Sequence, residues 1–185
     1  MATTPTTPTS LSPAAALAFR VPPRALFAAI AAFCLASVLL AIFYFQGQLG
    51  LEPCPLCIVS RMTFMAIGTV ALIAAIHGPV GMGLKVYGGL LAALGVAGVG
   101  VSIRHSWIQH NPPKIESCGA DLDFILNTMP LAQALPRIFS GTGSCSKVDW
   151  SFLGLSIPEW AGLAYLGILA AALWVGFVRP RIQRA

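Results

Sequence analysis

Cys54 and Cys57 stand three residues apart in Leu51-Glu52-Pro53-Cys54-Pro55-Leu56-Cys57-Ile58-Val59-Ser60-Arg61, just before a long apolar run. Two thiols at that spacing can close and reopen a very small ring. A helix running from Ile58 onward puts Pro53 and Pro55 at its entrance, where a missing N–H costs nothing. Cys57 then occupies the first turn, facing the positive end of the helix dipole, and Arg61 follows four residues on along the same face. Both influences favour thiolate over thiol, and the thiolate is the form that attacks a disulfide or donates electrons. The chemistry expected of the pair is thiol redox exchange at a membrane rim, with a structural disulfide as the plainer alternative.

The elements that must position this pair are apolar. The chain has 185 residues, of which 57% are hydrophobic and 9% charged, whereas soluble domains run nearer ~25% charged. That is too much apolar surface for one water-soluble core, so the bilayer is the natural solvent. The net charge of +5 is not gathered on a basic face interleaved with aromatics, which argues against nucleic acid as a partner. Length and pattern predict one compact domain.

Residues 1–24 are rich in Thr, Pro, Ser and Ala, end on Arg20 and Arg24, and read as a disordered tail. Ala25 to Phe45 carries no charge and gives about 31 Å of helix, enough to span a bilayer and longer than the usual ~7–15-residue apolar core of a cleaved signal. Further spans are expected at 58–76, 86–103 and 160–178, so that residues 25–178 form a four-helix membrane domain and 179–185 a basic tail. Cys34, near the middle of the first span, reads as a small buried hydrophobe. Arg61, taken alone, reads equally well as an interfacial anchor whose head snorkels to water. In the third span Gly89, Ala93 and Ala97 recur every four residues, a stripe of small residues that invites close helix packing. Residues 104–157 form the one long polar segment. Within it Leu131, Leu135, Ile138 and Phe139 fit a short amphipathic helix on the membrane surface, limited by Pro130 and Pro136. Ser156 and Glu159 have the spacing of a capping box opening the fourth span, and Trp160 and Trp174 lie near its ends as interfacial aromatics do. The fold class expected is all-α: an antiparallel bundle of four transmembrane helices with a long loop carrying an interfacial helix.

Four spans put both termini on one side. That side holds Arg20, Arg24, Lys85, Arg179, Arg181 and Arg184 and none of the six acids, which marks it as cytoplasmic. Cys54, Cys57, Cys118 and Cys145 therefore fall on the opposite side, where disulfides form and persist. A zinc site of four cysteines needs a second close pair, and Cys118 and Cys145 are too far apart in sequence to supply it. Two structural disulfides pinning the loops remain open. Exchange between two dithiol pairs fits the layout better, since Ser140-Gly141-Thr142-Gly143-Ser144 would let Cys145 swing and each exchange step needs direct sulfur-to-sulfur attack.

Glu52-Pro53-Cys54-Pro55-Leu56-Cys57 with Arg61 resembles the first periplasmic loop and second helix of the DsbB family, bacterial quinone-dependent disulfide oxidases. The similarity continues in Arg104-His105-Ser106-Trp107-Ile108-Gln109, Ser117-Cys118-Gly119, Gly143-Ser144-Cys145 and Trp150 to Pro158, and covers roughly residues 25–178. It implies an inner-membrane enzyme with periplasmic catalytic loops and two redox-active disulfides, Cys54–Cys57 and Cys118–Cys145. A thioredoxin-like, DsbA-like periplasmic partner would attack at Cys118. Electrons would pass through an inter-loop disulfide of Cys54 with Cys145, and Cys57 would hand them to a membrane quinone, ubiquinone or menaquinone. Arg61 and His105 are implied quinone contacts, Arg61 holding the ring oxygen or its developing charge. The energetics agree: DsbA has a potential of about −120 mV, a general figure for that oxidant, so its reoxidation needs a stronger electron sink, and quinones reside in the bilayer. The competing expectation is a membrane subunit whose two disulfides are only structural.

Overall fold

The structure is a computed structural model that describes residues 22–51, 53–112, 143–146, 148 and 150–178. The expected tail up to residue 21, Cys118, the expected interfacial helix and the basic tail 179–185 lie outside the described residues. Four helices, each long and apolar enough to cross a membrane, make up most of what is described. They are α1 (Pro23–Gln48), α2 (Pro55–His77), α3 (Met82–His110) and α4 (Ile157–Val178). Every one is longer than the span expected from the sequence. Arg24, Lys85 and Arg104 all lie within helices, because backbone hydrogen bonding does not stop at a charge whose side chain can reach the rim. The largest departure is at α3, where the expected polar loop from residue 104 is helical through His110. His105 is thereby a helical residue facing the bundle, not a loop residue.

Local chemistry explains the ends. α2 begins with Pro55 in its first position, after Cys54 as the cap residue, and stops at Gly78 in the left-handed conformation (φ 62°), where a Cβ would be strained. Arg24 donates to the carbonyls of Ala75 and Ile76, both at 3.1 Å, placing a cation at the negative end of that helix. α1 changes to π-helical winding over Leu40–Gln48, a form concentrated at functional sites. At the start of α4 the expected capping box is present: the Glu159 carboxylate accepts from the Ser156 N–H at 2.7 Å and from its hydroxyl at 3.0 Å.

Sequential helices pack side by side in an antiparallel bundle, with the α3–α4 and α1–α2 seams the most extensive. Phe27, Ile30, Cys34, Ile67, Leu91, Tyr165, Ile168 and Val175 fill the centre, Cys34 behaving as the small hydrophobe expected. The outer faces carry exposed Leu35, Phe43, Met62, Ile76, Val96 and Ile103, as suits lipid contact. The expected stripe Gly89–Ala93–Ala97 does not make the seam: Ala93 and Ala97 are exposed and nothing lies within 4 Å of a Cβ on Gly89. Gly88, Leu91, Gly95, Gly98 and Ser102 are buried in its place. These repeat alternately at three and four residues, the spacing that keeps one face on a partner helix, and the four-residue repeat drifts off that face. Close approach is real at Gly88, where a Cβ would stand 2.7 Å from Gly176 Cα.

Before α4 the chain makes a small hairpin, β1 (Ser151–Phe152) with β2 (Leu155–Ser156). Its two-residue turn has positive φ at both Leu153 (53°) and Gly154 (80°), the tight geometry that matches strand twist. Up-and-down topology brings the end of α1, the start of α2, the end of α3, this hairpin and the start of α4 to one end of the bundle.

Candidate active site

Cys54 caps α2 with sulfur in the role usually taken by a Ser or Asp oxygen: the Cys57 N–H donates to Cys54 Sγ at 3.3 Å. The cap therefore holds the two sulfurs together, with the Cys54 thiol donating to Cys57 Sγ at 2.9 Å. From α3, His105 brings Nε2 to 3.6 Å from Cys54 Sγ. A single 3-10 turn, Gly143–Ser146, delivers Cys145 to the same place, and the donor atoms of Cys54, His105 and Cys145 all lie within 4.8 Å of one another. Cys54 and Cys145 are buried and packed with Leu56 and Ile108, and Cys57 is half-buried. Cys54 and Cys57 are thiols and not joined in a disulfide here. Hydrogen bonding to Cys145 and Cys57, followed by burial, holds the Cys54 thiol well above the usual cysteine range. Donating its proton to two sulfurs is what stabilises its neutral form.

Beside the thiols lies a cavity of about 700 Å³. Cys54, Cys57, Arg61 and His105 line one part of it, and Phe33, Phe45, Phe64, Trp150, Phe152 and Trp160 supply much of the apolar wall. Such a lining, apolar with a few converging polar groups, suits a flat organic ligand. The Arg61 guanidinium donates to the Gln46 side-chain oxygen and to the Ala41 carbonyl at 3.5 Å, so it bridges α2 to the π-helical end of α1. Below the cavity, Tyr165 donates to the Ser60 carbonyl at 2.7 Å, contacts the Ser60 hydroxyl at 3.0 Å and stacks on Phe64 with ring centroids 4.3 Å apart. The hairpin closes another side: Trp150 meets Phe45 edge-on at 5.1 Å and stacks near Phe152, whose carbonyl accepts from the Trp160 indole at 3.2 Å.

Residues 23–175 match the family model described as Disulfide bond formation protein DsbB. The chain belongs to the DsbB family. Among its relatives, Disulfide bond formation protein B of Azoarcus sp. (strain BH72) is 46% identical over 156 residues, 84% of this chain and 93% of that protein. The protein of the same name from Aromatoleum aromaticum is 49% identical over 158 residues, 85% of this chain and 94% of its own. That from Saccharophagus degradans is 47% identical over 140 residues, 75% of this chain and 84% of its own. As a DsbB-family member the chain is a multi-pass membrane enzyme, a thiol–disulfide oxidoreductase of disulfide bond formation. A subunit with merely structural disulfides is set aside.

Of the residues singled out in the sequence, the structure brings Cys54, Cys57, Arg61, His105 and Cys145 to one end of the bundle, the first four around one cavity. Cys118 lies outside the described residues. Sequence reasoning missed Gln46, Ser60 and Tyr165. Each had a signal: a polar side chain within or at the end of a span has to find a partner, and these three find Arg61 and one another.

Proposed function

We propose that this enzyme reoxidises a DsbA-like periplasmic dithiol protein and passes the electrons through two cysteine pairs to a membrane quinone, ubiquinone or menaquinone. In this reading the protein sits in the bacterial inner membrane with both termini cytoplasmic, and residues 25–178 form the working domain. The partner's dithiol reduces Cys118–Cys145, attacking at Cys118, and becomes a disulfide. The resulting dithiol reduces Cys54–Cys57 through a transient Cys54–Cys145 bond. Each exchange moves two electrons and two protons and leaves no residue charged.

The observation that carries this reading is the meeting of three sulfurs with a large apolar cavity. Cys145 lies beside Cys54, as direct sulfur-to-sulfur attack requires, and Cys54 and Cys57 line a space of about 700 Å³. A quinone held there by Arg61 and the apolar wall would supply the electron sink, taking two electrons and two protons and leaving as quinol. The apolar wall excludes water from the thiols. Arg61, already braced by Gln46 and Ala41, has further N–H donors for a ring oxygen, and His105 orders the Cys54 side of the cavity.

The test uses the purified full chain with reduced DsbA-like protein and a quinone, following quinone absorbance. Stoichiometric oxidation of partner and reduction of quinone is expected. Partner oxidation with no quinone consumption under anaerobic conditions would refute the assignment of the cavity.

A further inference from the structure

Three side chains that the sequence keeps far apart offer soft or borderline metal donors at one buried point. Cys54, His105 and Cys145 have their donor atoms within 4.8 Å of one another, and all three residues are buried. The sequence spacing argued against zinc because a second close cysteine pair is missing; the fold supplies a histidine from α3 in place of it. Tetrahedral zinc with Zn–S of about 2.3 Å and Zn–N of about 2.0 Å sets a sulfur and a nitrogen ligand about 3.5 Å apart. Cys54 Sγ and His105 Nε2 are 3.6 Å apart. Two sulfurs on one such ion stand about 3.8 Å apart, whereas Cys54 and Cys57 are at 2.9 Å, so Cys57 is not spaced as a co-ligand. His105 also hydrogen-bonds the Cys145 backbone, which ties ring and sulfur to one place. Cys54 and His105 border the cavity, leaving room for a small fourth ligand.

We infer that the reduced enzyme holds one thiophilic divalent cation, Zn²⁺ or Cd²⁺, on Cys54, Cys145 and His105. The ion enters, two thiol protons leave, neutral imidazole binds through Nε2, and no electron moves. Two thiolates and a divalent ion sum to zero charge, which a buried site tolerates. While the ion is bound, Cys54 and Cys145 can neither pair with each other nor exchange, so the reduced enzyme is parked until a chelator or a competing thiol removes the metal.

The experiment needs neither partner nor quinone, so its failure leaves the electron relay untouched. Full-length protein in detergent, reduced and stripped of metal under argon, is titrated with Zn²⁺ against a chromophoric chelator and then with Co²⁺, whose visible spectrum reports geometry and thiolate ligation. One equivalent with a tetrahedral thiolate-bound Co²⁺ spectrum is expected. His105→Ala and Cys145→Ser should each weaken Zn²⁺ binding by about tenfold or more, whereas Cys57→Ser and Cys34→Ser should leave it within about twofold. A second readout needs no variant. Zn²⁺ should slow alkylation of Cys54 and Cys145 of the unaltered protein relative to the metal-free protein, mapped residue by residue, and leave the rate at Cys57 unchanged. Protection of Cys54 and Cys57 without Cys145, or binding lost in Cys57→Ser but kept in His105→Ala, would show plain chelation by the close pair and overturn the site. So would the absence of stoichiometric uptake.

Discussion

Arg61→Lys separates two roles that the same positive charge can play. The guanidinium spans Gln46 and the Ala41 carbonyl from adjacent nitrogens and borders the cavity with Cys57. A lysine ammonium keeps the charge and can also snorkel, yet it is a single point and cannot bridge two acceptors while presenting a planar donor edge to a third. One hydrogen bond from a charged donor contributes about 1.5–3 kcal/mol. At 1.36 kcal/mol per factor of ten, losing one amounts to roughly ten- to hundredfold. If the lost bond is to a ring oxygen, the whole factor falls on the apparent KM for quinone. Oxidation of one equivalent of partner should then stay within about threefold, because in the proposed relay that step uses the loop cysteines. If the bonds serve only to brace α1 against α2, the same energy is lost from stability, and both assays fall together. The measurement is steady-state quinone kinetics beside single-turnover partner oxidation and thermal unfolding in one detergent preparation. Equal losses in both rates with a lowered Tm would refute a ligand-facing role for Arg61.

Cys57→Ser should still oxidise one equivalent of partner through the loop disulfide while quinone reduction stops; normal steady-state quinone reduction would remove Cys57 from the site. Gly98→Ala places a Cβ at 2.5 Å from the Tyr165 ring, which Phe64 and Ser60 hold from the other side, so unfolding in detergent should show a loss of about 1–3 kcal/mol. Gly89→Ala meets nothing within 4 Å and should be neutral or stabilising by up to about 1 kcal/mol. Cysteines introduced near residue 10 or residue 184 should resist an impermeant thiol reagent in intact cells, while Cys118 is labelled after reduction; labelling of the termini from outside would reverse the topology.

What was legible in the sequence was whatever depends on neighbours along the chain. Four apolar runs announced four helices because spanning length and high hydrophobicity are local properties. Pro53 and Pro55 announced the entrance of α2, which begins at Pro55 and not at the expected Ile58, and Ser156 with Glu159 announced α4, because helix starts and caps are made within four residues. Helix ends were drawn too short for the same reason. A charge ends an apolar run but not a hydrogen-bonded ladder, so α3 carries on to His110. The packing seam was misjudged because spacings of three and four residues both occur among the small residues of α3, and only the facing helix selects Gly88, Gly95 and Gly98 over Gly89, Ala93 and Ala97.

The site divides along the same line. Cys57 and Arg61 belong to one helical face and could be paired from spacing alone. His105 lies 51 residues from Cys54 and Cys145 is further still, so no periodicity joins them. Their meeting depends on α3 extending about two turns past Ile103 and on the single 3-10 turn Gly143–Ser146 that holds Cys145 at the bundle end. Had α3 stopped at Ile103, His105 would stand in a loop and Cys54 would lose its buried nitrogen neighbour. The length of α3, which the sequence understated, is therefore what converts a close pair of cysteines into a three-element site.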